Sequence, residues 1–238
     1  MIPARKKKRA AWMLGLMIFI GLIAYTAWAF TAPAYRADAL VAGFARFGDL
    51  DAAGISEKDL QRVGEGLAGY LRGDNATPQV QVTRHGLAQD AFSEREVRHM
   101  PDVKRLTDWG RFIWRIGLVA VALLGADALR AASDKDGDYP NIAGKAMLAA
   151  GLVFLGLMAL FVVWALADFT GLFYQLHHWL FPNDLWQLDP MHHLMIQLMP
   201  EGFFVDYALA AIKRLAWLLL VFPAAIILLR LPKAKGAA

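Results

Sequence analysis

Apolar residues along this chain gather into four long runs, each near the length of about 20 residues that an α-helix needs to cross a bilayer. The first extends from Ala10 to Ala32 without a charge and follows the basic string Arg5-Lys6-Lys7-Lys8-Arg9. It is too long for the apolar core of a secretory signal and predicts an uncleaved first span. The second, residues 107–130, has Arg111 and Arg115 near one end and Asp127 near the other, where charged side chains reach the interfaces. The third, residues 146–167, is uncharged, and the fourth, residues 207–229, is interrupted early by Lys213 and Arg214.

Between the runs the pattern changes. Residues 33–106 predict a small, mainly helical insert. Ser56-Glu57-Lys58-Asp59 reads as a helix start, and Leu60, Val63, Leu67 and Leu71 recur at helical spacing before the break at Gly73-Asp74-Asn75. Gln79 to Thr83 alternates as a short strand or hairpin arm would. Ser93-Glu94-Arg95-Glu96 is spaced as a capping box and predicts an outer helix that carries His99 and stops before Pro101. The segment 168–206 is a connection of unusual apolarity. Phe169 to Phe181 is uncharged and aromatic, and Leu194 to Met199 is a second apolar piece, so both are expected to lie half embedded in the headgroup region.

Charge orients these segments. Basic residues collect before the first run (1–9), between the second and third (131–145, with Lys135 and Lys145) and after the fourth (230–238, with Lys233 and Lys235), which the positive-inside rule reads as cytoplasmic. Residues 168–206 contain no Lys or Arg and are expected outside. The long 33–106 connection joins them there by helix parity. The expected fold is therefore an all-α integral membrane protein of four transmembrane helices, both termini inside, in a cytoplasmic membrane. A composition that is 58% hydrophobic agrees, and the net charge of +4 then reports membrane topology, with no nucleic-acid partner implied. The absence of cysteine excludes disulfides, thiolate metal sites and a cysteine nucleophile.

Candidate chemistry rests on six histidines, all outside the four runs. His99 and His177 lie in the two connections expected to share the outer face, and imidazoles titrating near neutrality suit proton transfer. On the residues alone, His99 fits a surface or capping histidine better than a catalytic one, and His177 and His178 fit interfacial side chains. Asp102 and Asp189 can be caps, and Glu201 a helix-start acid. Arg111, Arg115, Lys213 and Arg214 suit anchors at the level of the lipid phosphates, or sites for a lipid headgroup or oxyanion. Other classes stay open. A haem-binding bundle would ordinarily project its ligands from the spans, which hold no histidine. The pairs His177-His178 and His192-His193 could hold zinc in a membrane hydrolase, although adjacent pairs lack a recognised ligand spacing. A noncatalytic lipid or lipoprotein binder is a third alternative.

The segments Arg98-His99-Met100-Pro101-Asp102-Val103-Lys104, His177-x-x-x-Phe181, Trp186-x-Leu188-Asp189-Pro190 and Ile196-x-x-x-Pro200-Glu201-x-Phe203-Phe204 resemble the bacterial lipoprotein intramolecular transacylase (Lit) family. The resemblance extends from about Tyr70 to Tyr207. It implies transfer of an acyl chain from the glyceryl group of a diacylated lipoprotein's N-terminal cysteine to that cysteine's α-amine, on the outer face of the bacterial cytoplasmic membrane. It also implies that His99 and His177 are catalytic. Asp102, Trp186, Asp189, Glu201, Arg111 and Arg115 form the expected supporting set. Where the family usually has an acid three residues beyond the Asp-Pro pair, this chain has His193. The expected partners are diacylated lipoproteins and membrane phospholipids, with neither metal nor other cofactor. Direct ester-to-amine transfer is favoured over a covalent route, because no G-x-S-x-G occurs and the outer serines are Ser56 and Ser93.

Overall fold

The computed structural model describes residues 4–132 and 139–230 of the chain. Helix α1 (Ala4–Thr31) starts within the basic string, earlier than the apolar run itself, because Lys and Arg are good helix formers and nothing there stops a helix. A 3-10 turn (Ala32–Tyr35) with Pro33 in its first turn ends it. Helices α2 (Ala37–Phe47), α3 (Leu50–Ala53) and α4 (Glu57–Arg72) follow. The start of α4 is as expected from its sequence: the Ser56 hydroxyl accepts the Asp59 amide, and Gly73 closes the helix at φ 92°, a left-handed conformation suited to glycine. Strands β1 (Gln81–Arg84) and β2 (Leu87–Asp90) form an antiparallel hairpin with Gln81 opposite Asp90 and Arg84 opposite Leu87.

Helix α5 (Glu94–Ala132) corrects one expectation, since the outer helix does not end before Pro101 but runs unbroken through it into the second apolar run. A proline inside a helix costs about 3 kcal/mol, mostly through the lost hydrogen bond and a ring clash. Packing on both sides of it offsets that cost: Met100 is buried in the core of the insert, with Val97 and Val103 against the same core. Helix α6 (Tyr139–Ala167) likewise begins ahead of the third run. Residues 169–181, expected to lie half embedded in the headgroup region, form a regular helix over α7 (Phe169–Leu180), because Asp168 caps it by accepting the Gly171 amide at 2.8 Å. The second apolar piece is the short helix α8 (Leu194–Leu198), buried in protein. Leu194, Met195 and Leu198 complete the core of the insert, which satisfies their apolarity without lipid. Helix α9 (Glu201–Arg230) is the last described element.

Among the described residues, three helices are long and apolar enough to cross a membrane: Arg5–Tyr35, Glu94–Ala126 and Ile142–Ala167. The charge-rich first turns of α5, from Glu94 to Asp108, lie ahead of its apolar part and belong to the insert. Phe112, Ile116, Val119 and Leu123 on α5, and Leu152, Leu155, Leu160 and Val163 on α6, are exposed, as lipid-facing residues are. Neighbouring helices meet through small residues: a Cβ at Gly15 would come within 2.8 Å of the Ala146 carbonyl oxygen, and one at Gly117 would collide with Ala24. Gly110 faces Thr31, and Gly125 faces Met17, so α5 runs antiparallel to α1. Ala10 and Ala11 cluster with Ala143, and Phe19 meets Phe154, so α6 runs parallel to α1. Arg214 donates to the Ala29 carbonyl at 3.1 Å, caps the end of α1 in this way, and brings α9 alongside. The insert and the 168–206 connection therefore gather at the same end of the helices. Lys135, Lys233 and Lys235, on which part of the expected topology rests, lie outside the described residues.

The insert has a core of its own. Leu60, Val63, Leu67 and Leu71 are all buried there, with Leu40, Phe44, Val82, Phe92 and Phe203.

Candidate active site

Residues 93–102 form a rigid mount. The Ser93 amide donates to the Glu96 carboxyl at 2.7 Å and the Glu96 amide to the Ser93 hydroxyl at 3.4 Å, the reciprocal pattern of a capping box. The other Glu96 oxygen accepts the Met195 amide at 2.6 Å, which ties the start of α5 to the first turn of α8. His99 follows one helical turn later and is only 5% exposed. Its Nδ1 is buried and has no hydrogen-bond partner among the described residues.

His177 arrives on α7, in the last turn before the helix ends at Phe181. Its Nδ1 lies 2.7 Å from the Phe173 carbonyl oxygen, one turn back. A carbonyl can only accept, so this contact assigns the proton to Nδ1 and leaves Nε2 with a free lone pair. Phe173, Phe181 and Trp186 surround the ring, with centroids 4.0, 5.4 and 4.9 Å away. Phe181 is shared: its ring lies 5.1 Å from that of His99, edge to face. The structure thus brings the two imidazoles, 78 residues apart in sequence, against one buried aromatic ring.

Both imidazoles are held neutral. Burial pushes the His99 pKa down to about 4, and repulsion from His177 and Arg95 adds to this against the opposing pull of Asp102. Burial also lowers that of His177, opposed by the Phe173 carbonyl and reinforced by His178.

The supporting residues separate into two groups. Asp102, one turn beyond His99, accepts the Asn183 side-chain amide at 2.8 Å and pairs with Arg105 at 3.3 Å. Trp186 is buried against His177 and His178, and its indole donates to the Asn183 carbonyl at 2.9 Å. These two belong to the histidine site. Asp189 lies in an exposed turn, accepting from the Met191 amide at 2.9 Å and held to His192 Nδ1 at 2.7 Å. The Met191 amide is the main reason its carboxyl titrates below the ordinary range. His193 Nδ1 accepts the Asp189 amide at 2.8 Å, so the residue that stands where the resemblance implies an acid is a turn-forming imidazole. Glu201 starts α9 and accepts the Thr170 hydroxyl at 2.7 Å, joining the first turns of α7 and α9. Arg111 pairs with Asp108 and lies over the Tyr35 ring, 4.3 Å from its centroid; Arg115 follows one helical turn later on α5. His85 sits in the hairpin turn at φ 50°. Ser56 and Ser93 are both helix caps. Among the described residues no group of three His, Asp or Glu side chains converges as a metal site would.

Three contributors escape a reading of charged and ionisable residues. Phe181 joins the imidazoles, the Phe173 carbonyl sets a tautomer, and Asn183 links Asp102 to Trp186. The i, i+4 spacing of Phe173, His177 and Phe181 carries the first two, once 169–180 is read as a helix.

Comparison with known proteins agrees with this architecture. The sequence model of the family described as lipoprotein intramolecular transacylase Lit matches residues 10–204. Among curated proteins, none matches the chain. The solved structure of the membrane integral lipoprotein intramolecular transacylase Lit from Bacillus cereus is similar with a TM-score of 0.68 at 18% identity, covering 96% of this chain and 98% of that one. Variants of the same protein with one histidine replaced by arginine or by alanine are similar with TM-scores of 0.60 and 0.59, at 19% and 18% identity. The arginine variant covers 86% of this chain and 85% of its own, the alanine variant 88% and 86%.

Proposed function

This chain belongs to the lipoprotein intramolecular transacylase (Lit) family of membrane acyltransferases, and from that premise we propose that His99 and His177 are its proton-transfer groups. The substrate in this reading is a lipoprotein whose N-terminal cysteine carries two acyl chains on its glyceryl group. The cysteine's neutral α-amine attacks an acyl ester carbonyl, a C–N bond forms, and the glyceryl C–O bond breaks. The amine proton is taken by His177 at Nε2 and ends on the glyceryl oxygen, to which His99 hydrogen-bonds. Nothing enters or leaves, so the product is an isomer with an N-acyl chain and a free glyceryl hydroxyl. Holding ester and amine in one molecule supplies the proximity that otherwise dominates the barrier.

The observation that carries this reading is the meeting of two neutral imidazoles, His99 buried and His177 half-buried, against Phe181, the second with its tautomer set by a backbone carbonyl. A base must be unprotonated to act, and both are at neutral pH. Asp102 and Trp186 orient the pair through Asn183. Asp189 and Glu201 act at a distance, by shaping the turn before α8 and the joint between α7 and α9. Arg111 and Arg115 meet phospholipid headgroups. The four-span arrangement with both termini cytoplasmic, α9 serving as the fourth span, puts this site on the outer face of the cytoplasmic membrane, where diacylated lipoproteins are.

Mass spectrometry of lipoprotein N-terminal peptides tests the function, because cells with the protein should show an acyl chain moved from glycerol to nitrogen at constant acyl count. Losing a proton-transfer group costs on the order of 10²–10⁴ in rate, so His99→Ala and His177→Ala should each nearly abolish the shift at normal protein abundance. The double variant should lose far less than the product of the two losses. His178→Ala should stay active. Full activity in both single variants would remove the histidines from the mechanism.

A further inference from the structure

The start of α5 carries a cation that the two imidazoles leave unused. Arg95 precedes His99 by four residues, so the two side chains rise from the same face of the helix. The outer end of its guanidinium is anchored: Nη2 donates to the Asp184 carbonyl oxygen, and the Asp184 carboxylate is 3.7 Å away, three-quarters exposed to solvent. The inner edge is different. Nε is buried and has no hydrogen-bond partner among the described residues, as is true of the neighbouring His99 Nδ1. The charge is near enough to His99 to deepen the depression of its pKa that burial begins.

A buried N–H of a charged group without an acceptor is costly, and such groups are ordinarily met by something. What would satisfy it here must bring an oxygen that accepts without needing to donate, must fit beside an imidazole, and must arrive with apolar groups compatible with Phe181. An ester carbonyl of an acyl chain has those properties. As the tetrahedral intermediate forms, that oxygen gains a full negative charge, and a fixed guanidinium N–H gains most at that moment. Resting on the transacylase reading, we propose that Arg95 is a catalytic residue whose Nε–H holds the oxyanion of the transferred acyl group. The Asp184 contact fixes the plane of the guanidinium, so the donor is aimed before substrate arrives. His99 and His177 handle the proton, and Arg95 handles the charge. When the intermediate collapses the C–O bond breaks, the carbonyl re-forms as an amide, and the guanidinium has neither gained nor lost a proton.

The test uses purified full-length protein with a synthetic diacylglyceryl-cysteinyl peptide, with N-acyl product read by mass spectrometry. Removing one oxyanion donor typically costs 10²–10³ in kcat, so Arg95→Gln should lower kcat by about 100-fold and change KM by less than about threefold. Arg95→Lys keeps the charge but places no donor at the Nε position, and it should recover no more than roughly a tenth of wild-type kcat. Wild-type kcat in Arg95→Lys, or a loss confined to KM, overturns the assignment. Should Arg95→Gln fail to fold, wild type and Arg95→Lys still decide the matter. A phosphonate analogue carrying the oxyanion should bind wild-type protein at least about tenfold better than an ether analogue lacking it, and Arg95→Lys should lose that preference. Equal binding of the two analogues by wild type is the overturning result. Wild-type protein that forms no N-acyl product overturns both readings, whereas active wild type with an unimpaired Arg95→Gln overturns the arginine's role alone.

Discussion

Protonating His99 would create a charge beside Phe181 in a site shielded from water, and the unfolded chain faces no such cost. As pH falls below the ordinary histidine value of 6.5, the unfolded state therefore takes up the proton first, while the folded site resists to about 4. The resulting stability is full above 6.5 and is lost as pH falls from 6.5 toward 4, by on the order of 3 kcal/mol. His177 titrates in the same sense. The thermal midpoint of detergent-solubilised protein should therefore drop over this interval, and His99→Phe, which keeps an aromatic ring there, should flatten the drop. An equal slope in both proteins would mean that His99 is not the group that resists protonation. Both histidines were legible in the sequence as candidates, but their pairing was not. Burial and the shared Phe181 ring depend on atoms from α5, α7 and the turn after α7, which no local pattern links.

At the scale of elements, Glu96 has two tasks that a capping motif alone does not reveal. Its carboxyl closes the cap at Ser93 and also receives the Met195 amide from α8. Glu96→Ala would strand two amides, one of them fully buried, at a cost on the order of 2–4 kcal/mol. The expected outcome is a clear fall in thermal midpoint and faster proteolysis at residues 185–200, where the turn loses its anchor. Glu96→Gln keeps one acceptor oxygen for the two amides and turns a donor toward the other, so it should recover only part of the loss. A silent Glu96→Ala would show that α8 is held by its apolar contacts alone. The capping box and the start of α4 were readable because each is set by residues three positions apart, and the first arm of the hairpin because its side chains alternate. The passage of α5 through Pro101 was not, since local chemistry argues for a break, and contacts of Val97, Met100 and Val103 with distant residues decide otherwise.

For the whole molecule, the cysteine-free sequence makes topology directly testable. Cysteine in place of Leu87, at the exposed tip of the hairpin, should react with impermeant reagent from outside, and cysteines at Gly137 and Ala237 only after the cytoplasmic side is opened. Outside labelling at Gly137 would break the four-span arrangement. The sequence by itself determined that this chain lives in a membrane, because helices must satisfy their own backbone in lipid and long uncharged runs are the unavoidable consequence. It also located the helical insert, and it supplied flanking charge as the ground for an expected orientation and the histidines as candidates for proton chemistry, since these rest on composition and short-range spacing. The tertiary structure decided that α7 is a helix presenting Phe173, His177 and Phe181 together, that α8 belongs to the insert and not to lipid, and that Asp102 and Trp186 approach the imidazoles while Asp189 does not. Those outcomes depend on which apolar face finds protein instead of lipid, and that choice is made only when segments from both ends of the chain pack against one another.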